Sequence, residues 1–112
     1  MEIPESALRL RIILGESDRW ENQPAYEAIV LKARAVGLAG ATVLRGPMGF
    51  GAGSHIHTAK ILQLSADLPF VIEIVDSREK IEAFLPTLKN MLQGGLVTLE
   101  EVRVIHYQAG KT

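Results

Sequence analysis

The amino-acid sequence predicts an α+β fold in which two helices cover one face of an antiparallel sheet. Segments with alternating apolar residues predict strands, and two segments with apolar residues three and four positions apart predict helices. Along the 112 residues these segments follow the order βαββαβ. This length is typical of one domain, so we expect a single domain over 1–112, with a core at about 7–107 and a tail at 108–112.

The first half of the chain predicts a strand, a helix and a second strand. Apolar residues alternate from Leu8 to Leu14, which predicts a half-buried strand over 7–14. Pro24 suits the first turn of the helix that follows, and Gly37 suits the position directly after its end. The core stripe of this helix comprises Tyr26, Ile29, Val30, Ala33 and Val36. A short strand is predicted over 41–45.

The second half repeats this pattern. Alternation predicts strand segments at 61–64 and 70–75, and Asp76 with Glu79 resembles a capping box at the start of the second helix. Pro86 lies inside this helix and predicts a kink or a boundary. The helical stripe comprises Ile81, Phe84, Leu85, Leu88, Met91 and Leu92. Two strand-like segments, 96–98 and 102–107, complete the order.

Both helical stripes must cover the same sheet face, which is the ferredoxin-like arrangement. The other face would carry Arg9, Arg11, Ile13, Glu73, Arg103, Ile105 and Tyr107. Exposure of this face to solvent is one interpretation. Burial against other subunits is the other, because Arg and Glu on neighbouring strands can pair within an interface. We favour a homo-oligomer.

Composition excludes several classes of function. The chain has 12 Lys and Arg against 13 Asp and Glu, which leaves no basic face for duplex nucleic acid, and 5% aromatic residues provide little for base stacking. Without cysteine it has no disulfide, thiolate nucleophile or Cys-ligated zinc. No secretory leader is apparent, and no apolar stretch approaches the roughly 20 residues that span a bilayer. We expect a soluble cytoplasmic protein that neither binds nucleic acid nor inserts into a membrane.

One segment is a candidate ligand site on composition alone. Residues 46–53 (GPMGFGAG) contain four glycines in eight positions. Glycine lets the backbone approach a ligand closely and leaves N–H groups available to anionic oxygens. The segment matches neither the P-loop nor the dinucleotide-binding fingerprint, because it lacks Gly-Lys-Ser/Thr and no helical stripe follows it. The alternative interpretation is a hairpin loop without a ligand.

Residues that could bind a metal or catalyse a reaction are few. His55 and His57 would face the same way on a strand and could supply two ligands to a divalent metal, although no third ligand is obvious. Ser54 and His57 could form a nucleophile–base pair, but no orienting third group stands at a recognisable spacing. We therefore predict that the chain is not an enzyme, and we keep His55 and His57 as an alternative metal site.

Several blocks of the sequence, in order, resemble the PII signalling proteins. Residues 37–43 (GLAGATV) lead through Gly49-Phe50-Gly51 to His57-Thr58, as a PII helix and strand lead into a Gly-Phe-Gly loop and a His-Thr pair. Residues 68–75 (LPFVIEIV) resemble the PII strand before its second helix. The blocks 64–69, 71–76, 79–81 and 95–100 are similar to the PII-like family known as domain of unknown function 190. The resemblance covers roughly 8–107.

The resemblance implies a ferredoxin-like fold, a homotrimer, and an adenine nucleotide bound in clefts between subunits. The loop at 46–61 and the turn at 94–98 take the places of the two loops that shape the PII phosphate site. The nucleotide-binding residues implied in this way are Arg45, Gly46, Gly49, Phe50, Gly51, His57, Thr58, Gly95, Leu96, Val97 and Thr98. Arg45, together with Arg9 or Arg11, is the expected partner of the phosphate.

Departures from the PII pattern restrict the class of nucleotide that we expect to bind. PII proteins carry a Gly-Asp-Gly-Lys run before the last strand, where this chain reads LVTLEE over 96–101. The carboxylates of Glu100 and Glu101 would repel a triphosphate by about 1 kcal/mol each when partly desolvated, so we expect AMP, ADP or a cyclic form rather than ATP. The expected function is a sensor whose 46–61 loop regulates a protein partner, such as an enzyme or a membrane transporter. The alternative is a trimeric divalent-cation tolerance protein using His55 and His57.

Overall fold

The computed structural model describes residues 2–51, the backbone of 57–58, and residues 67–109. Its strands are β1 (Ser6–Gly15), β2 (Arg19–Trp20), β3 (Gln23–Pro24), β4 (Thr42–Arg45), β5 (Met48–Gly49), β6 (His57–Thr58), β7 (Pro69–Asp76) and β8 (Leu96–Arg103), and its helices are α1 (Ala25–Ala35) and α2 (Arg78–Met91). Four strands form an antiparallel sheet in the order β4-β7-β1-β8, and both helices pack on one face of it. The expected ferredoxin-like α+β fold is confirmed. The strand expected at 61–64 lies outside the described residues.

Strand β1 organises the sheet because it pairs with β7 on one side and β8 on the other. Its even-numbered side chains, from Leu8 to Leu14, are buried beneath the helices. Ile12 and its register partner Ile72 on β7 are both fully buried. Because a fully buried aliphatic side chain contributes about 1.5–3 kcal/mol, this layer holds the helices to the sheet.

Both ends of helix α1 differ from the ends that the sequence predicts. Its buried residues are Ala25, Ala28, Ile29 and Ala33, with Tyr26 and Val30 partly buried beside them. Pro24 occupies the N-cap position and does not lie in the first turn. Val36 was expected in the core stripe but is 52% exposed, because the helix ends at Ala35. Gly37 follows with φ +87°, a conformation that favours glycine.

Helix α2 begins one residue later than the capping pattern predicts. The N-cap is Ser77, whose hydroxyl accepts a hydrogen bond from the Lys80 backbone N–H at 3.3 Å. Asp76 instead ends β7 with its side chain fully buried. Pro86 marks no boundary, because the helix runs unbroken to Met91. Among the described residues, no helix is both long and apolar enough to cross a membrane.

Strand β8 is continuous where the sequence predicts two separate segments. It runs through Glu100 and Glu101 and ends at Arg103, and residues 104–109 follow without regular structure. The unbroken register places Val102 opposite Ala7 and Arg103 opposite Ser6. Arg103 therefore alternates to the helix side of the sheet, and its expected position on the other face is wrong. The expected face residues Ile105 and Tyr107 lie in the terminal segment and not in a strand.

The substitution Gly95→Ala is predicted to destabilise the fold by about 1–2 kcal/mol or more. Gly95 has φ +98°, and a Cβ there would lie 2.5 Å from the carbonyl oxygen of Ile13 on β1. Gly94→Ala is the matched control, because a Cβ at Gly94 meets nothing within 4 Å. Thermal or urea unfolding of the two variants measures the difference. Equal stability would contradict a requirement for glycine where α2 turns into β8.

Candidate functional site

The sheet face without helices, called here the uncovered face, begins with an apolar row. Leu44 on β4, Val71 on β7, Ile13 on β1 and Leu96 on β8 lie side by side in register. The two outer residues of this row, Leu44 and Leu96, are 53% and 56% exposed. An exposed apolar row bordered by polar side chains is typical of the centre and rim of a protein interface.

Two Arg–Glu ion pairs occupy the next rows of the uncovered face. Arg11 donates from Nε and Nη2 to Oε2 of Glu73, at 2.9 and 2.7 Å. Arg9 donates from Nη2 to Oε1 of Glu100. Each pair joins residues that face one another on neighbouring strands. These charges are therefore compensated within the chain, so the face can approach another surface without burying an unpaired charge.

The two carboxylates of β8 have different partners because they lie on opposite faces. The hydrogen bond from Arg9, reinforced by its charge, holds the pKa of the Glu100 carboxyl below its ordinary value. The same contacts raise the pKa of the Arg9 guanidinium. Glu101 alternates to the helix side, where its Oε1 accepts a hydrogen bond from Nη2 of Arg78 at 2.8 Å. Neither carboxylate is an isolated negative charge.

A cleft of about 370 Å³ opens at the edge of the uncovered face where β4 begins. It lies between the start of β4 and the terminal segment that follows β8. Its lining residues are Ile3, Ala39, Gly40, Ala41, Thr42, Glu73, Val75, Val104, His106 and Tyr107. Most of these are apolar or small, and Glu73, Thr42 and His106 supply polar groups. The cleft is open to solvent, and its volume is within the range of sites for small organic ligands.

A buried carboxylate holds the backbone that lines the cleft. Oδ2 of Asp76 accepts a hydrogen bond from the Ala39 N–H at 2.9 Å, and Oδ1 accepts one from the Ser77 N–H at 2.6 Å. The carbonyl of Ala39 in turn accepts the Tyr107 hydroxyl at 2.9 Å. Asp76 thus fixes the α1–β4 connection to the start of α2, and Tyr107 fixes the terminal segment to the same residue, Ala39. A buried backbone N–H requires such a partner.

The Gly-rich loop begins at the opposite end of β4. The Gly46 N–H donates to the Pro69 carbonyl at 2.7 Å. A Cβ at Gly46 or Gly49 would lie 2.9 or 3.0 Å from Cγ of Pro69. These two glycines therefore have a packing role at the base of the loop, independent of any ligand.

The remaining expected loop residues follow β5 or pair with it. Phe50 is 70% exposed, and Gly51 follows it at the surface. His57 and Thr58 form β6, which pairs with β5. His55, the other residue of the alternative metal pair, lies outside the described residues. Within 2–51 and 67–109, no group of three or more acidic or histidine side chains is arranged to hold a metal ion.

Arg45 and the expected residues of β8 make contacts within the chain. Nη2 of Arg45 forms an ion pair with Oε1 of Glu16 at 3.0 Å, with both side chains partly exposed. Leu96 and Thr98 face the uncovered side in register with β1. Val97 is on the opposite side and packs, partly buried, against the core.

The loop base and the cleft lie at opposite ends of β4. The register pairs Thr42, which lines the cleft, with Glu73, and Arg45, at the loop base, with Phe70. Within one chain the structure therefore gathers the expected loop-base residues but separates them from the cleft. Sequence patterns do not reveal the cleft, because packing of the terminal segment creates it. The run of small residues at 39–41, between α1 and β4, is a local signal of its position.

Comparison with known proteins places this chain in a family. Residues 7–104 match DUF190, a family described as an uncharacterized ACR. The chain belongs to the DUF190 family. A UPF0166 protein of Aquifex aeolicus (strain VF5) is 42% identical over 97 residues, covering 87% of this chain and 91% of the relative. A UPF0166 protein of Methanocaldococcus jannaschii is 34% identical over 96 residues, covering 85% of this chain and 88% of the relative.

Solved structures similar to this DUF190 protein share its fold. CPII of Thiomonas intermedia K12, described as bound to ADP and bicarbonate, superposes with a TM-score of 0.60 at 18% identity, covering 88% of both chains. A second CPII structure, described as a nitrogen regulatory PII-like protein bound to ADP, AMP and bicarbonate, gives a TM-score of 0.61 at the same identity and coverage. The expected membership of the DUF190 family is confirmed, and the expected likeness to PII-like proteins is confirmed at the level of the fold.

The stability difference between the wild-type protein and Glu100→Gln is predicted to depend on pH. The pKa of Glu100 is lower in the folded protein than its ordinary value of 4.5, so its ionised form stabilises the fold. That contribution is fully present above the ordinary pKa and is lost as the pH falls through the lowered one. Urea unfolding from neutral to strongly acidic pH should give the largest difference at neutral pH and none in strong acid.

The control for this prediction is the same substitution made in an Arg9→Met background. Removing the guanidinium removes the cause of the lowered pKa, so Glu100→Gln should then have a much smaller and pH-independent effect. A difference between the two proteins that grows as the pH falls would contradict the assigned ion pair.

Proposed function

We propose that this protein is a cytoplasmic, non-enzymatic PII-like regulator that binds an adenine nucleotide. AMP, ADP or a cyclic form is favoured over ATP. The observation that carries the proposal is the cleft at the start of β4, on a sheet face that neither α1 nor α2 covers. A pocket of this size, with mostly apolar walls and few polar groups, suits a nucleobase with its sugar.

The comparison with CPII supports the choice of nucleotide. Those structures are described as bound to ADP, to AMP and to bicarbonate, and they share the fold of this chain over 88% of its length. Identity is 18%, so the likeness supports a shared fold, and the ligand of this chain remains part of the proposal.

The proposal includes a homotrimer, because one chain supplies only part of the site. The apolar row of Leu44, Val71, Ile13 and Leu96 provides contact area for a neighbouring subunit. In such an assembly the loop base of one subunit completes the cleft of the next. Residues separated by the length of β4 within one chain, such as Thr42 and Arg45, then act together across the interface.

The charges near the site favour a ligand with few phosphates. Arg9, Arg11 and Arg45 each have a carboxylate partner within the chain, and a phosphate must compete with that partner. Arg45 is the most exposed of the three, with 56% of its side chain accessible. It is therefore the candidate for the phosphate, as the sequence also suggests.

The Gly-rich loop at 46–61 is the segment proposed to contact and regulate the protein partner. Ordering a glycine-rich backbone costs about 1–2 kcal/mol per residue, so a ligand that contacts the loop can shift its conformation. The exposed side chains of Met48 and Phe50, at 59% and 70%, give the loop an apolar surface for a protein partner. An enzyme or a membrane transporter is the expected class of partner.

Isothermal titration calorimetry tests this proposal. AMP, ADP or a cyclic adenine nucleotide is predicted to bind, with ATP at least several-fold weaker because its added charge meets paired arginines. Ala41→Trp fills the cleft and should abolish binding. Leu31→Trp is the control, because Leu31 is 56% exposed on α1, away from the cleft.

Absence of heat with every nucleotide at millimolar concentration would contradict the proposal. Unchanged affinity in Ala41→Trp would contradict the position of the site. Titration with Zn²⁺ and Cu²⁺ covers the alternative function, and tight metal binding that is lost in His57→Ala would favour the metal-binding protein instead.

A further inference from the structure

We infer that Glu73 determines base specificity by accepting a hydrogen bond from the exocyclic amino group of the base. The inference rests on the proposed function, since it assigns a role within the same cleft. It identifies the ligand by its chemistry: a planar ring that carries an N–H donor, joined to its charged phosphate by a spacer.

The geometry of the Arg11–Glu73 pair leaves one carboxylate oxygen available. Both hydrogen bonds from Arg11 end on Oε2 of Glu73, at 2.9 and 2.7 Å. No other hydrogen bond to Glu73 is present among the described residues, so Oε1 has no partner within them, and Glu73 is one of the residues that line the cleft. Arg11 holds the side chain in one position because two donors fix the same oxygen.

An ionised carboxylate only accepts hydrogen bonds. Oε1 of Glu73 therefore suits a donor on the ligand and repels a carbonyl oxygen at the same position. An amino group at position 6 of a purine is such a donor, whereas the carbonyl of hypoxanthine or guanine is an acceptor. The guanidinium of Arg11 compensates the negative charge of Glu73, which lets this carboxylate face a largely apolar cleft.

The surroundings of Glu73 favour the base end of a nucleotide. Val75 and Val104 supply apolar walls, and the Tyr107 hydroxyl is already bonded to the Ala39 carbonyl. A phosphate beside Glu73 would be repelled by its charge. The ligand therefore places its ring at Glu73 and its phosphate toward the far side of the cleft.

The first test compares ligands on the wild-type protein by calorimetry. ADP should bind about tenfold or more tightly than inosine diphosphate and N6,N6-dimethyl-ADP, because a hydrogen bond to a charged group is lost in each. 2′-Deoxy-ADP should bind like ADP. If the dimethyl compound binds like ADP while 2′-deoxy-ADP is weakened, Glu73 faces the ribose hydroxyls and the inference is overturned.

The second test uses Glu73→Gln. The amide can donate as well as accept, so the preference for ADP over inosine diphosphate should fall to within about twofold. Glu100→Gln is the matched control, since it removes the other Arg–Glu pair of the uncovered face without changing the cleft lining. In Glu100→Gln, the ratio of the affinities for ADP and inosine diphosphate should equal the ratio in the wild-type protein.

The outcomes separate this inference from the proposed function. If no nucleotide gives heat, the proposed function fails. If ADP binds but the wild-type protein does not discriminate against inosine diphosphate, or Glu73→Gln keeps full discrimination, only the assignment of Glu73 fails. The ligand comparison on the wild-type protein needs no variant, so equal binding of ADP and inosine diphosphate overturns the inference even where Glu73→Gln does not fold.

Discussion

In a sheet with helices on one side, the side chains on the other side have no helix to pack against and must be paired or buried in another way. The rest of this structure depends on that constraint. On β1, Leu10 and Ile12 are buried under the helices, whereas Arg9, Arg11 and Ile13 face away. Each arginine is compensated by a glutamate on a neighbouring strand. The uncovered face is therefore charged but largely paired, and its apolar row is free for contact with another chain.

The cleft shows how a buried polar residue can shape a site without touching a ligand. Asp76 has no exposed surface, yet its two oxygens hold backbone groups on the α1–β4 connection and at the start of α2. Tyr107 bonds to the carbonyl of the same residue, Ala39, from the far end of the sequence. Three segments distant in sequence thereby meet at Ala39, next to the edge where Glu73 and Thr42 line the cleft.

Sequence periodicity predicted what depends on local pattern, including β1, β7 and both helices. Predictions from periodicity failed where a contact with a residue distant in sequence determines which of two neighbouring residues takes a given role. Asp76 and Ser77 both offer an N-cap oxygen, but the Asp76 carboxylate accepts hydrogen bonds from the Ala39 and Ser77 N–H groups, and Ser77 caps the helix. Strand β8 continues through Glu100 and Glu101 because their carboxylates bond to arginines on opposite faces of the sheet, Arg9 and Arg78. The cleft depends on packing of the terminal segment, which no periodicity encodes.

The central claim is that the uncovered face is covered by other copies of this chain, which complete the cleft. Light scattering coupled to size-exclusion chromatography tests it most directly. The proposed homotrimer should have a molar mass three times that of the 12.2 kDa chain, and this mass should be stable on dilution through the micromolar range. A monomer at all concentrations would contradict the account, because the apolar row and the incomplete cleft would then remain open to solvent.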